Sequence, residues 1–120
     1  MKKNFIFLLL VFLVVSLTSC AGKSNYKKCE EHLLKHLDND SSYICEYAMG
    51  YEEDDVYAYQ IYYRVKDSDG HYGLGEKEYF IIFADGHIEC GSCAKNSITP
   101  MKIYYDMCVS GKLVYDYERE

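Results

Sequence analysis

The sequence predicts an α+β fold in which an N-terminal helix packs on an antiparallel sheet of about four to five strands. Apolar residues recur at spacings of three and four over residues 26–37, as they do on one face of a helix. Segments rich in Tyr, Ile, Val and Phe follow, with alternating order and short polar turns between them. Laying the helix across the sheet buries both apolar surfaces, so we expect two layers, with room for a short second helix.

The first helix is expected to run from Tyr26 to Leu37, with Ser24 or Asn25 as its N-cap. The polar segment 38–42 ends it, because Asp, Asn and Ser side chains hydrogen-bond their own backbone. The apolar stripe of this helix comprises Tyr26, Cys29, Leu33, Leu34 and Leu37.

Alternation predicts which side chains of the first two strands share a face. In the first strand these are Tyr43, Cys45, Tyr47 and Met49, and in the second they are Tyr57, Tyr59, Ile61, Tyr63 and Val65. The acidic segment 52–55 between the strands is expected to be a solvated hairpin loop, because four adjacent like charges are not buried.

Later elements are marked by turn residues. Residues 67–70 form the next predicted turn, a third strand is expected at about 76–83, and Asp85-Gly86 returns the chain through 87–90. Thr99 and Pro100 resemble a helix start, with Thr99 as the N-cap and Ile98 packing on Ile103. Gly111 can end this helix. Its residues on one face would be Met101, Tyr104, Tyr105 and Cys108. Tyr and Ile fit strands equally well, so helix and strand stay alternatives for 100–109. A last edge strand is expected at 113–117.

The N-terminus has the layout of a secretory signal. Lys2 and Lys3 precede an apolar run from Phe5 to Leu17, and small residues follow. The run is about a dozen residues, short of the roughly 20 that cross a bilayer as a helix. The sequence Leu17-Thr18-Ser19-Cys20 at its end resembles the lipobox of bacterial lipoproteins.

This resemblance implies cleavage before Cys20 and attachment of lipid to its sulfur, which holds a protein firmly when two or three acyl chains are present. Residues 1–19 would be the signal peptide, residues 20–25 the lipidated cysteine and a short tether, and residues 26–120 a single α+β domain. The protein is then expected outside the cytoplasm, anchored to the cell membrane. In a Gram-negative host this would be the outer membrane, because Ala21 replaces the Asp of inner-membrane retention. The alternative is a secreted protein with a free cysteine near its new N-terminus.

Composition narrows the range of partners. The chain has 13 Lys and Arg against 19 Asp and Glu, a net charge of −6. Nucleic acid is excluded as a partner, because its phosphates require clustered basic residues. Adhesion to anionic lipid is disfavoured for the same reason, so we expect membrane contact through the lipid anchor only. The sequence predicts no oligomeric state.

Two segments carry a second resemblance. Residues 33–43 and the sequence Ile61-Tyr62-Tyr63-Arg64-Val65-Lys66-Asp67-Ser68-Asp69-Gly70 resemble small bacterial proteins with a helix, a Ser-Ser joint and a strand that leads into a Lys-Asn-Ser-x-Gly turn. Asp67 stands where that pattern has Asn, and Asn39-Asp40 stand where it has Pro. The resemblance implies a helix on a sheet, a shape analogous to that of cystatins and beta-lactamase inhibitory proteins, and no activity to transfer.

Five cysteines follow Cys20 and are candidates for disulfides: Cys29, Cys45, Cys90, Cys93 and Cys108. Small exported domains are commonly stabilised by disulfide bonds, so we expect two disulfides and one free thiol among these cysteines. The sequence leaves their pairing open. Cys90-Gly91-Ser92-Cys93 has the spacing of a redox motif, whose thiol is activated at a helix N-terminus. It lacks the βαβ pattern, the preceding aromatic residue and the distant cis-proline of thioredoxins, which favours a structural bridge.

Two sets of residues are candidates for a metal site. Cys29, His32 and His36 fall on neighbouring rows of the first helix, and Cys90 with Cys93 could complete a zinc site, although histidines so placed are more often surface residues. Asp67, Asp69 and Glu76 suggest calcium, but the ligands of an EF-type loop are incomplete and a turn is favoured. We therefore expect no cofactor.

The chain contains 14 Tyr and no Trp. Tyr combines a rigid ring with a hydroxyl and suits recognition surfaces, so Tyr57, Tyr59 and Tyr63 are predicted as a binding face; ordinary core packing is the alternative. The sequence thus favours a non-enzymatic binding or inhibitor module that contacts an envelope protein or glycan. The alternative is a thiol-disulfide active envelope protein that uses Cys90 and Cys93.

Overall fold

A computed structural model describes residues 21–91 and 98–120, and it confirms the predicted α+β class. Residues 17–20, which resemble a lipobox, the segment before them that is predicted as a signal peptide, and Cys93 lie outside this range. The sheet has five antiparallel strands in the order β4-β3-β2-β1-β5. The strands are β1 (Ile44–Glu53), β2 (Val56–Arg64), β3 (Glu76–Ile82), β4 (Ile88–Cys90) and β5 (Lys112–Glu118).

Helix α1, residues 21–35, covers one face of the sheet. It buries Tyr26, Cys29 and Leu33 of its predicted stripe. Opposite them lie Tyr59, Ile61 and Tyr63, which the alternating pattern predicted on one face of β2. The neighbouring strand β3 adds Phe80 and Ile82. A short 3-10 turn, Asp40–Ser42, follows the helix and leads into β1. This side of the sheet holds the larger of the two apolar clusters.

Helix α2 (Ile98–Ser110) packs on the opposite face, so it adds a third layer to the two predicted. Tyr104 and Met107 are its buried side chains and contact Ala58, Tyr79 and Ile81 of the sheet. Residues 100–109 are therefore helical rather than extended. The expected face was partly wrong, because Met101 and Tyr105 are exposed.

A β-bulge in β1 redistributes the side chains of that strand. Cys45 pairs with Tyr63 and Tyr47 pairs with Tyr62, so two consecutive β2 residues face partners that are two apart in β1. An extra residue in one strand reverses the alternation beyond it. Tyr43 and Cys45 therefore pack toward α1, whereas Tyr47 and Met49 lie on the α2 side. The single face predicted for these four residues is wrong for this reason.

The predicted turns connect these strands. Asp54 and Asp55 both have positive φ, 52° and 64°, as a type I′ hairpin turn requires. Asp67 Oδ1 accepts hydrogen bonds from the backbone N–H groups of Asp69 and His71, which fixes the next turn. Gly86, at φ 92°, closes the β3–β4 hairpin.

The two helix starts differ from prediction. Residues 21–25 are helical, so Ser24 and Asn25 lie within α1 rather than capping it. The expected tether is thus part of the fold: a Cβ at Gly22 would lie 2.2 Å from the carbonyl oxygen of Val114 in β5. Thr99 likewise lies inside α2 instead of capping it, and the side chain of Ile98 is outside the described part of the chain. Gly111 ends α2 as predicted, and its N–H donates to the carbonyl of Met107.

Candidate binding surface on the sheet

The binding face predicted from the sequence is buried. Tyr59 is 0% exposed and Tyr63 is 5% exposed, because α1 lies over both rings. The Tyr59 hydroxyl donates to the carbonyl of Gly22 at 2.6 Å, and the Tyr63 hydroxyl donates to Glu76 Oε2 at 3.0 Å. Tyr57 is partly buried against the same cluster. Tyr59 and Tyr63 belong to the core and Tyr57 packs against it, so the prediction of a recognition surface is wrong for Tyr59 and Tyr63.

A different set of tyrosines is accessible on the other side of the sheet. Among the described residues, helix α2 covers the part of that face nearest the β1–β2 hairpin and leaves the part toward the end of β2 open. We call this part the open tyrosine face. Its accessible side chains are Tyr47, Tyr62 and Tyr105, and the buried Gln60 and Tyr79 lie beside them.

Three of these side chains form a closed hydrogen-bonded set. Gln60 Nε2 donates to Tyr79 Oη at 2.9 Å and to Tyr105 Oη at 3.3 Å, and the two hydroxyl oxygens lie 2.9 Å apart. Burial and the hydrogen bond with Tyr105 raise the pKa of Tyr79 to about 12. The Tyr79 phenol is therefore neutral at physiological pH and serves as a hydrogen-bonding group.

Tyr47 and Tyr62 provide an aromatic surface beside this set. They are cross-strand partners, and their rings stack with centroids 5.0 Å apart at an angle of 18°. Gly75 makes room for this arrangement, since a Cβ there would lie 2.1 Å from Tyr62 Cζ. Both rings are partly exposed. The open tyrosine face thus combines flat apolar area with fixed polar groups.

The charged residues around the face carry both signs. Lys77 pairs with Tyr62 across β3, Asp116 pairs with Met49, and Glu118 pairs with Tyr47. All three charged side chains are exposed. Arg64, two residues after Tyr62 on β2, is also exposed and lies 3.7 Å from Glu46, so positive and negative charges balance around the face and do not favour an anionic ligand.

Cys29, Cys45 and Cys108 are free thiols, so the expectation of two disulfides among five cysteines is wrong. Burial raises the pKa of Cys29, which faces the core. Burial also raises the pKa of Cys45, whose sulfur lies 3.5 Å from Tyr26 Oη. A thiol held protonated is a weak nucleophile, so neither cysteine has the environment of a reactive one.

Cys90 is disulfide-bonded. Its pairing with Cys93 stays a prediction. Cys90 is 2% exposed and is the last residue of β4. A catalytic disulfide presents its attacking sulfur to solvent, often at a helix N-terminus. The position of Cys90 within a strand supports a structural bond.

The proposed metal ligands are not brought together. Within residues 21–91 and 98–120, no three His, Cys, Asp or Glu side chains are placed to hold a metal ion. Cys29 points into the core, whereas the His32 ring lies 6.2 Å from that of Phe80. Asp67 holds its own turn, and Glu76 accepts the hydrogen bond from Tyr63.

Comparisons with protein families, with curated proteins and with solved structures found no match to this chain. Among the described residues, no helix is long and apolar enough to cross a bilayer.

Sequence reasoning missed the open tyrosine face for two reasons. Gln60 and Tyr62 could have been detected from the sequence, because the alternation of β2 places their side chains on the face of the sheet opposite Tyr59 and Tyr63. The contribution of Tyr47 depends on the bulge, which the alternating pattern does not reveal. Tyr105 approaches only because α2 packs on that side.

Proposed function

We propose that this protein is a lipid-anchored, extracytoplasmic binding module with no catalytic role, and that the open tyrosine face is its ligand surface. One observation carries the proposal: partly exposed tyrosine rings surround a fixed amide and two phenol hydroxyls. Side chains that combine apolar area with hydrogen bonding at low conformational cost are enriched in recognition surfaces. An envelope protein or a glycan is the expected ligand.

The lipobox Leu17-Thr18-Ser19-Cys20 supports the anchor. Helix α1 is already formed at residue 21, so a lipid on Cys20 would hold the folded domain at the bilayer with no slack chain between them.

Metabolic labelling tests the anchor. Cells given a fatty-acid analogue should incorporate it into the wild-type protein, and Cys20→Ala should abolish the label. Equal labelling of the two forms would refute lipidation at Cys20. Cys45→Ala is the matched control, because it removes a cysteine that lies inside the fold.

Site-directed photocrosslinking in cells tests the ligand surface. A photoreactive amino acid at Tyr62 should give adducts that are missing when the same residue replaces Glu31, which is exposed on α1 at the other side of the sheet. Adducts that are identical at both positions, or missing at both, would count against the open tyrosine face as the binding surface.

A further inference from the structure

The hydrogen-bonded set on the open tyrosine face has one donor more than it uses. Gln60 Nε2 supplies protons to both phenol oxygens, and a single O–H joins those two oxygens. Either hydroxyl can donate to the other. Tyr79 is 9% exposed and Tyr105 is 47% exposed, so a ligand reaches this set at Tyr105. When Tyr79 donates to Tyr105, the proton of the Tyr105 hydroxyl is left for the ligand. A ligand acceptor placed beside Tyr105 would receive a hydrogen bond of fixed direction.

The stacked rings of Tyr47 and Tyr62 lie one row along the sheet from this donor. Tyr62 and Gln60 are two residues apart on β2, a separation of about 7 Å. The negative face of an aromatic ring attracts weakly positive C–H groups, so the rings suit a flat surface of C–H bonds. The face therefore matches a ligand that has C–H groups on one side and oxygen acceptors at its edge.

The ligand must also be compatible with the charge of the region. Asp116 and Glu118 flank the face on one side, and Lys77 and Arg64 lie on the other, so the charges close to the face balance. The whole chain has a net charge of −6, which disfavours a phosphorylated, sulfated or strongly acidic ligand. A neutral ligand is not disfavoured in this way.

We propose that the open tyrosine face binds a neutral oligosaccharide, with one sugar ring packed against the exposed side of the Tyr47–Tyr62 pair and a hydroxyl oxygen of a neighbouring sugar accepting from Tyr105. This inference rests on the proposed function and specifies its ligand. A sugar ring offers one face of C–H groups and an edge of hydroxyls, which is the combination that this surface provides.

Saturation-transfer NMR on the full chain purified from membranes tests the inference. The probes are neutral oligomers of glucose, of mannose and of N-acetylglucosamine, with a polyanionic sulfated glucan and a proline-rich peptide as competitors. We expect saturable transfer to at least one neutral oligomer. Tyr62→Ala should weaken that binding at least tenfold, and Tyr105→Phe should weaken it several-fold, because it keeps the ring and removes the donor.

Tyr117→Ala is the matched control. Tyr117 is exposed, as Tyr105 is, but it pairs with Ala48, whose side chain faces α1. It should bind as the wild type does, and circular dichroism should show that all variants are folded. Binding that is unchanged by Tyr62→Ala and Tyr105→Phe would overturn the inference, as would no binding or binding only of the peptide or the polyanion. Adducts from position 62 without sugar binding would overturn the ligand class alone, whereas the loss of both would also refute the proposed function.

Discussion

At the scale of residues, Tyr59 shows how one side chain joins two elements. Its ring is fully buried between β2 and α1, and its hydroxyl donates to the carbonyl of Gly22 in the first turns of the helix. Gly50 lies opposite in β1, and a Cβ there would come within 2.2 Å of the Tyr59 ring. The sequence pattern correctly grouped Tyr59 with the side chains that share its face of β2, but it did not indicate that this is the face that α1 covers.

We expect Tyr59→Phe to lower the free energy of unfolding by about 1 kcal/mol, because it removes a buried hydrogen bond and keeps the ring. Urea denaturation would measure the change. Tyr57→Phe is the matched control on the same strand, since its side chain is partly exposed, and it should change stability by less than about 0.5 kcal/mol. Equal effects of the two substitutions would contradict a stabilising role for the contact with Gly22.

Buried phenols also predict how stability depends on pH. Burial raises the pKa of Tyr79 and of Tyr115 to about 12, whereas an unfolded tyrosine titrates at about 10. The folded form therefore holds protons that the unfolded form loses, and this contribution is complete below about pH 10 and is lost as pH approaches about 12. Urea unfolding at several pH values should show stability falling across that interval. Stability that stays constant through it would contradict the burial of these rings.

At the scale of elements, the strands were predictable because each one carries a strong alternating pattern between clear turn signals. The strands predicted around residues 57–65 and at about 76–83 correspond to β2 (Val56–Arg64) and β3 (Glu76–Ile82), whereas the bulge in β1 was not predicted. A bulge depends on pairing between strands and leaves no mark in one strand's own order. The face on which α2 packs is similarly a property of the whole fold, since the residues of α2 suit either side.

The β1–β2 hairpin provides a prediction at this scale. Asp54 and Asp55 occupy the two turn positions with positive φ, a conformation that non-glycine residues adopt at a cost. Asp55→Gly should raise the free energy of unfolding by about 0.5 to 1 kcal/mol, measured by urea denaturation, because glycine adopts this φ without steric strain.

Asp55→Asn is the control for that substitution, because it removes the same charge and keeps a side chain at positive φ. It should give less than half of the gain. A loss of stability on Asp55→Gly would show that the turn does not have the type I′ conformation.

At the scale of the whole molecule, the two ends of the sheet differ. The start of α1 meets β5 at Gly22 and Val114, whereas the end of α1 leads to the loop after β2, where Tyr72 donates to the carbonyl of Ser42 at 3.0 Å. An anchor at Cys20 would therefore place the first end at the membrane and the loop at 66–75 away from it. The open tyrosine face lies on the side of the sheet opposite α1.

The central claim is that α1 and the bulge divide the tyrosines into a buried core and an open surface. Iodination of the native protein, followed by peptide mass spectrometry, measures this division directly. We expect Tyr105 to react early with the exposed Tyr72 and Tyr117, and Tyr47 and Tyr62 to follow. Tyr26 and Tyr59 should react only after unfolding. Modification of Tyr59 and Tyr63 at the rate of Tyr105 would contradict the account, because α1 would then not cover their face of the sheet.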